Sequence, residues 1–239
     1  MNNCRSPFLA VVLGAVALGA PSLSTAAELG FYVGGQYGKT SKDESVTAVR
    51  LNALTVALYE DLGFTPITRD SKLESDDTAW GFFGGYRLLQ NLAFEAGYMS
   101  LSKDVRREYA TGTFLNTGVN PPQLEAEAWS MSFGVTTTGF AISALGVLPL
   151  TYNWEVFARG GVLLASNTLS LYAINQDGFG GADQLTESSA DFIAGVGAGY
   201  TLAEVYQIRA EFQRVFDAGA KEYGETDVDL ISIGITVSF

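Results

Sequence analysis

Apolar residues recur at every second position in eight stretches of this chain, and one further stretch repeats at helical spacing. The clearest alternation closes the sequence: Ile231-Ser-Ile-Gly-Ile-Thr-Val-Ser-Phe239 pairs apolar with small or polar residues and stops on an aromatic. A period of two puts neighbouring side chains on opposite faces of an extended strand, so one face is apolar and the other is not. Residues 206–215 repeat the pattern, with Tyr206, Ile208, Ala210 and Phe212 set against Gln207, Arg209, Glu211 and Gln213. The other stretches are 29–37, 80–88, 91–101, a strand within 126–148, 154–164 and 192–202.

The connections alternate in length. Residues 88–91, 149–153 and 203–205 are short turns, whereas 39–79, 102–125, 166–191 and 218–226 are long. An up-and-down membrane barrel has this rhythm, with its short turns on the periplasmic side. Residues 126–148 exceed an ordinary strand, and Thr136-Thr-Thr-Gly139 offers a place to break it. A break would make nine strands, and single-chain bacterial barrels have even numbers. The segment is therefore read as one long strand, bulged near Gly139 and standing above the membrane. In the first long connection, Leu51, Leu54, Leu58 and Leu62 lie at helical spacing and Gly63 can end a helix over 45–62. Such a stripe is a packing surface, which suits a short helix at the barrel mouth. The predicted fold class is all-β: an eight-stranded antiparallel up-and-down transmembrane barrel with a short helix in the first long loop.

The two faces then acquire different chemistry. Eight strands leave an interior that side chains fill, and the inward row carries Glu95, Glu155, Arg159, Arg209 and Glu211. Gly195, Gly197 and Gly199 make room on the same face for long side chains reaching across. Buried charges persist only when paired and hydrogen-bonded, which predicts an interior ionic cluster of Glu95, Arg159, Arg209 and Glu211. Such a cluster either satisfies the core or gates ions. On the outer face, Phe31, Tyr86, Trp154, Tyr200, Tyr206 and Phe239 fall at the periplasmic strand ends, and Trp80 and Tyr98 near the opposite rim. Aromatic girdles at both interfaces anchor such barrels. A soluble lipocalin-like barrel is the alternative, but glycines on the polar face suit a crowded lumen better than a solvated exterior.

The N-terminus supplies an export route. Arg5 precedes an apolar run over 8–20, and Ser24 and Ala26 are placed for cleavage after Ala26. That pattern predicts a signal peptide over residues 1–26 and a barrel domain over 27–239. Cleavage removes Cys4, the one cysteine, so no disulfide or thiol chemistry is expected. It also takes the formal charge from −12 to about −13. Such acidity argues against nucleic acid as a partner.

Catalytic and cofactor chemistry find little support. The chain has no histidine, which removes the base of Ser-His and Cys-His schemes and the commonest transition-metal ligand. The Gly-Gly pairs at 34–35, 84–85, 160–161 and 180–181 open no phosphate-cradling helix, so no cofactor is expected. Asp76-Asp77 and Arg106-Arg107 are read as solvated loop charges, the second with a secondary reading as a contact for lipopolysaccharide phosphates.

Trp80-Gly-Phe-Phe-Gly-Gly-Tyr-Arg-Leu88 followed by Asn91-Leu-Ala-Phe-Glu-Ala-Gly-Tyr98 resembles the second and third strands of OmpA-type outer-membrane barrels. Phe157-Ala-Arg-Gly-Gly-Val162 looks like that family's fifth strand, and the terminal strand is similar. The resemblance implies periplasmic termini and charges bridging the lumen, with Glu95, Arg159, Arg209 and Glu211 as members of that network. The sequence ends at Phe239, so the peptidoglycan-binding domain of full-length OmpA is not expected here. The resulting expectation is a non-enzymatic outer-membrane protein. Its partners would be membrane lipids, lipopolysaccharide and a surface ligand held by the long loops. A narrow pore gated by the lumen ion pairs is the alternative.

Overall fold

The computed structural model describes residues 29–42, 44–202, 205–220 and 224–239. The export signal expected over 1–26 lies outside them. Among the described residues, nine strands and one helix follow in order: β1 (Gly30–Lys42), α1 (Glu44–Asp61), β2 (Phe64–Asp76), β3 (Thr78–Leu89), β4 (Leu92–Asn116), β5 (Gln123–Pro149), β6 (Trp154–Asn175), β7 (Gly180–Leu202), β8 (Tyr206–Ala220) and β9 (Gly224–Ser238). All pairings are antiparallel. Eight strands close a ring in the order β4-β3-β1-β9-β8-β7-β6-β5, with β5 pairing back to β4.

The ninth strand does not break this ring. β2 pairs with β4 from Phe64↔Phe114 to Asp76↔Lys103, and β3 takes over on the same edge from Trp80↔Ser100 to Leu89↔Leu92. The two therefore form one descending line interrupted at Asp77. The Asp77 carbonyl accepts the Thr40 amide at 2.6 Å and the Thr40 hydroxyl at 3.2 Å. That pins the interruption to the top of β1, where β1 leaves β3.

The expected long loops are a correction. Most of 64–76, 102–116, 123–125, 166–175 and 180–191 is strand that carries the ladder upward. β4, β5, β6 and β7 run 25, 27, 22 and 23 residues, whereas β1, β8 and β9 run 13, 15 and 15. The barrel is thus a closed ring below and a raised, curved wall of β2, β4, β5, β6 and β7 above. β5 is one long strand, but the expected bulge near Gly139 is also corrected. The ladder slips in β4, between Ser100 and Ser102, while β5 pairs with β6 without interruption.

The alternation within β5 shows where the membrane ends, and the same change of phase made the extensions of β4, β6 and β7 look like loops. Along the lower part of β5 the outward residues Phe140 and Ile142 are apolar and exposed. Above Gly139 the phase inverts: Met131 and Phe133 point inward and are buried, while Ser130, Ser132, Thr136 and Thr138 line the outer face. Lipid solvates the outer face of a membrane barrel and water solvates it beyond the bilayer. The inversion marks that boundary within a single strand. α1 fills the concave side of the raised wall, where Leu51 and Tyr59 pack with Phe64, Ala110, Trp129, Met131, Phe133, Leu169 and Ala173. Gly63 ends the helix at φ +65°, a conformation glycine adopts without steric cost.

This boundary generates a prediction. Ile233→Arg, in the middle of the outward apolar row of β9, should destabilise the barrel by about 2–4 kcal/mol, the cost of a lipid-facing cation near the midplane. Ser132→Arg, outward on β5 above the inversion, should stay within about 0.5 kcal/mol, as solvated surface changes do. Urea unfolding in liposomes, read by heat-modifiable gel migration, measures both.

Candidate functional site

The inward row of β6 orders the interior by height. Glu155 lies lowest, then Phe157, Arg159, Gly161, Leu163, Ala165, Asn167, Leu169 and Ala173. Each inward position is matched by residues from other strands, so the lumen is built in layers.

The middle layer is ionic, and the structure brings Glu95 of β4, Arg159 of β6 and Arg209 and Glu211 of β8 together. Arg159 Nη2 donates to Glu95 Oε2 at 2.6 Å, and its Nε donates to Glu211 Oε1 at 2.6 Å. Arg209 Nη1 donates to Glu95 Oε1 at 2.5 Å. Arg209 Nη2 makes no hydrogen bond and sits 3.8 Å from Glu211 Oε2. Two carboxylates therefore face two guanidiniums, and all four side chains are buried. The Arg209 guanidinium also lies 4.4 Å from the Phe157 ring centre and 5.2 Å from that of Phe83. Desolvated cations gain from such ring faces. The β7 glycines make this possible: a Cβ at Gly197 would overlap the Phe157 ring, and one at Gly195 would lie 3.2 Å from Glu211 Oε1.

Several partners were not singled out from the sequence. Tyr32 donates to Glu95 Oε1 at 2.8 Å. Lower down, Arg87 Nη2 donates to Glu155 Oε2 at 2.7 Å, and Gln207 Nε2 to Glu155 Oε1 at 2.9 Å. Their strand parity was available as a signal: Tyr32 and Arg87 occupy the inward phase of β1 and β3, opposite Phe31 and Tyr86. Above the ionic layer, Leu101, Leu163, Ile193 and Val215 are fully buried beside Met99, Ala165, Val228 and Leu230. This apolar layer crosses the lumen between the ion pairs and the space beneath α1.

A second ionic group lies under the helix. Arg69 of β2 grips Glu108 of β4 with Nε at 2.6 Å and Nη2 at 3.1 Å. Arg106 Nη2 reaches the same carboxylate at 3.1 Å, and the Tyr59 hydroxyl donates to it at 2.7 Å. Arg69 also donates to Asn52 of α1 at 3.0 Å. Arg106 is thus turned inward to Glu108, which corrects its reading as a solvated loop charge; the buried acid draws it there. Burial by itself would raise the Glu108 carboxyl, but hydrogen bonds from Arg69, Tyr59 and Arg106 outweigh it and hold the group below the usual carboxylate range. Burial, reinforced by the bond to Glu108, pushes the Tyr59 hydroxyl up. Leu51, Thr55 and Tyr59 repeat every fourth residue, so one helical face carries Tyr59 to the acid.

The aromatic residues are placed on the outer face. Phe31 and Tyr86 rings lie 4.7 Å apart, and Trp154 and Tyr200 rings 4.9 Å apart. Tyr206 and Phe239 are exposed at the same end, and Trp80 sits 6.0 Å from Tyr98 toward the other.

A family model described as the OmpA-like transmembrane domain matches residues 26–239. The chain belongs to that family, and its place is the bacterial outer membrane. No curated protein matches it. Among solved structures, Neisserial surface protein A is similar at 12% identity and TM-score 0.45, covering 87% of this chain and 97% of that one. The N-terminal barrel domain of Pseudomonas aeruginosa OprF is similar at 10% identity and TM-score 0.42, covering 88% and 98%. Ail of Yersinia pestis follows at 9% identity and TM-score 0.38, covering 89% and 100%.

Two outcomes follow from the ionic groups. Glu95→Ala leaves Arg159 and Arg209 short of a carboxylate and should cost about 3–5 kcal/mol, as breaking a buried pair does; urea unfolding in liposomes measures it. Because the folded state holds the Glu108 carboxyl below its ordinary pKa, its contribution to helix docking is complete above the ordinary glutamate value of about 4.3 and is lost as pH falls below it. Protection of the α1 amides, taken relative to their intrinsic exchange rates, should therefore fall on acidification below about pH 4. In Glu108→Gln it should be low already at neutral pH.

Proposed function

We propose that this member of the OmpA-like transmembrane domain family works as a closed, non-conducting barrel. Its raised wall and helix are the working surface, presented outside the cell for envelope integrity or contact with a partner. The observation that carries this reading is the double seal of the lumen. The ionic layer of Glu95, Arg159, Arg209 and Glu211 is backed by the fully buried Leu101, Leu163, Ile193 and Val215. The cavities flanking the ionic layer measure about 30 Å³ below and 20 Å³ above. Each has room for roughly a water molecule and neither forms a column. Rearranging the ion pairs alone would still leave the apolar layer across the path.

The outward aromatics suit anchoring at the lipid interface, which frees the wall above from that duty. Loops and extensions on a rigid scaffold are where such folds carry function. Glu125, Glu127, Asp177 and Asp183 leave the wall acidic toward its tips. Lipopolysaccharide would then meet this surface through bridging cations more readily than through direct phosphate pairing, because Arg106 is committed to Glu108.

Planar-bilayer recording of the refolded mature chain tests this, beside Glu95→Ala. Both should be silent while still showing heat-modifiable migration. Discrete conductance steps that change with Glu95 would overturn the reading in favour of a gated pore.

A further inference from the structure

The raised wall does not close on itself. Among the described residues, β7 pairs with β8 only from Ile193 downward, and β2 pairs only with β4. α1 occupies the gap on the β2 side, where it contacts β2 and β9. Between the helix and β7 a cleft of about 270 Å³ remains. Leu54 and Leu58 of α1, Phe133 of β5, Leu169 and Leu171 of β6 and Leu185 of β7 line it, and none of its lining side chains is basic. Leu185 stays 48% exposed on the concave face, where the neighbouring Leu169 is buried.

The rim has one sign. Asp61, the last residue of α1, and Asp183 of β7 both border the cleft. The Gln184 amide donates to Asp183 Oδ1 at 2.7 Å, holding that carboxylate in place. A helix C-terminus carries a partial negative charge and favours cations. This one has no basic residue in its last turn and adds Glu60 and Asp61. Helix end and carboxylates thus concentrate negative potential at the mouth of an apolar groove.

We propose that this cleft binds a small amphiphilic cation, with its apolar body against the leucines and Phe133 and its cationic group between Asp61 and Asp183. Its volume is close to the ~300 Å³ at which small-molecule pockets begin, and the mix of an apolar lining with a few placed polar groups is typical of such sites. An anionic amphiphile of equal length would meet the same apolar wall and the wrong charge. The proposal rests on the reading that the raised wall is the working part.

The test uses the mature chain in phosphatidylcholine nanodiscs with methyl-labelled leucines. Octyltrimethylammonium is compared with octyl sulfate. The expected result is saturable shifts at the Leu54, Leu58, Leu169, Leu171 and Leu185 methyls, with the cation binding roughly tenfold tighter than the anion. In an Asp61→Asn/Asp183→Asn variant, which leaves the ladder and the apolar lining intact, that preference should fall to about twofold or less. Equal affinity for both probes, absence of saturable shifts at these methyls, or an unchanged preference in the variant would overturn the site. Failure of the underlying reading is separately visible, because a conducting wild-type barrel contradicts the raised-wall role whatever the methyls report.

Discussion

Every backbone amide and carbonyl that faces lipid must find its partner inside the protein, because hydrocarbon offers none. Much of this architecture follows from that demand. Below Asp77 and Ile193 the ladder closes without an edge, and eight strands satisfy one another around the ring. Above that level water can complete an open edge, and the structure uses the freedom at once. β1, β8 and β9 stop, β4 to β7 continue, and β2 stacks on β3's line instead of joining a second ring. α1 then covers part of the opening with its apolar face.

Closure has a second consequence inside. A narrow ring forces its inward side chains into contact, so each layer must be complementary in charge or shape. The middle layer balances Glu95 and Glu211 against Arg159 and Arg209, with Phe157 and the β7 glycines shaping the space around Arg209. The layer above is apolar and fully buried. The group at Glu108 repeats the logic outside the membrane, where one acid gathers Arg69, Arg106 and Tyr59 and thereby ties β2, β4 and α1 together. Ionic contacts inside the ring hold a shape that the ladder already imposes. The contact under the helix instead fixes an element that the ladder leaves free, and so is the one open to modulation.

The division of labour between levels is visible in particular residues. Alternation in 206–215 and 231–239 displays the barrel, since period-two patterning is local and survives in one sequence. Helical spacing of the leucines and Gly63 displays α1 for the same reason. Strand parity also places Glu95, Arg159, Arg209 and Glu211 on one face, and Tyr32 and Arg87 were legible by the same rule. The upper parts of β4, β6 and β7 were not, because above the bilayer the apolar phase inverts and the alternation is read as loop. In β5 the same faltering near Gly139 was read as a bulge in one long strand.

By itself, then, the sequence determined the strand count of the ring, the short turns, the helix and which side chains share a face. These depend on local period and turn chemistry. Only the tertiary structure decided that Tyr32 joins the lumen cluster and Arg87 pairs with Glu155, that Arg106 turns inward to Glu108, that β2 continues β3's line, and that a cleft persists between α1 and β7. Those outcomes depend on register and height across strands far apart in the chain. A one-residue shift of register changes them all while leaving every local pattern intact.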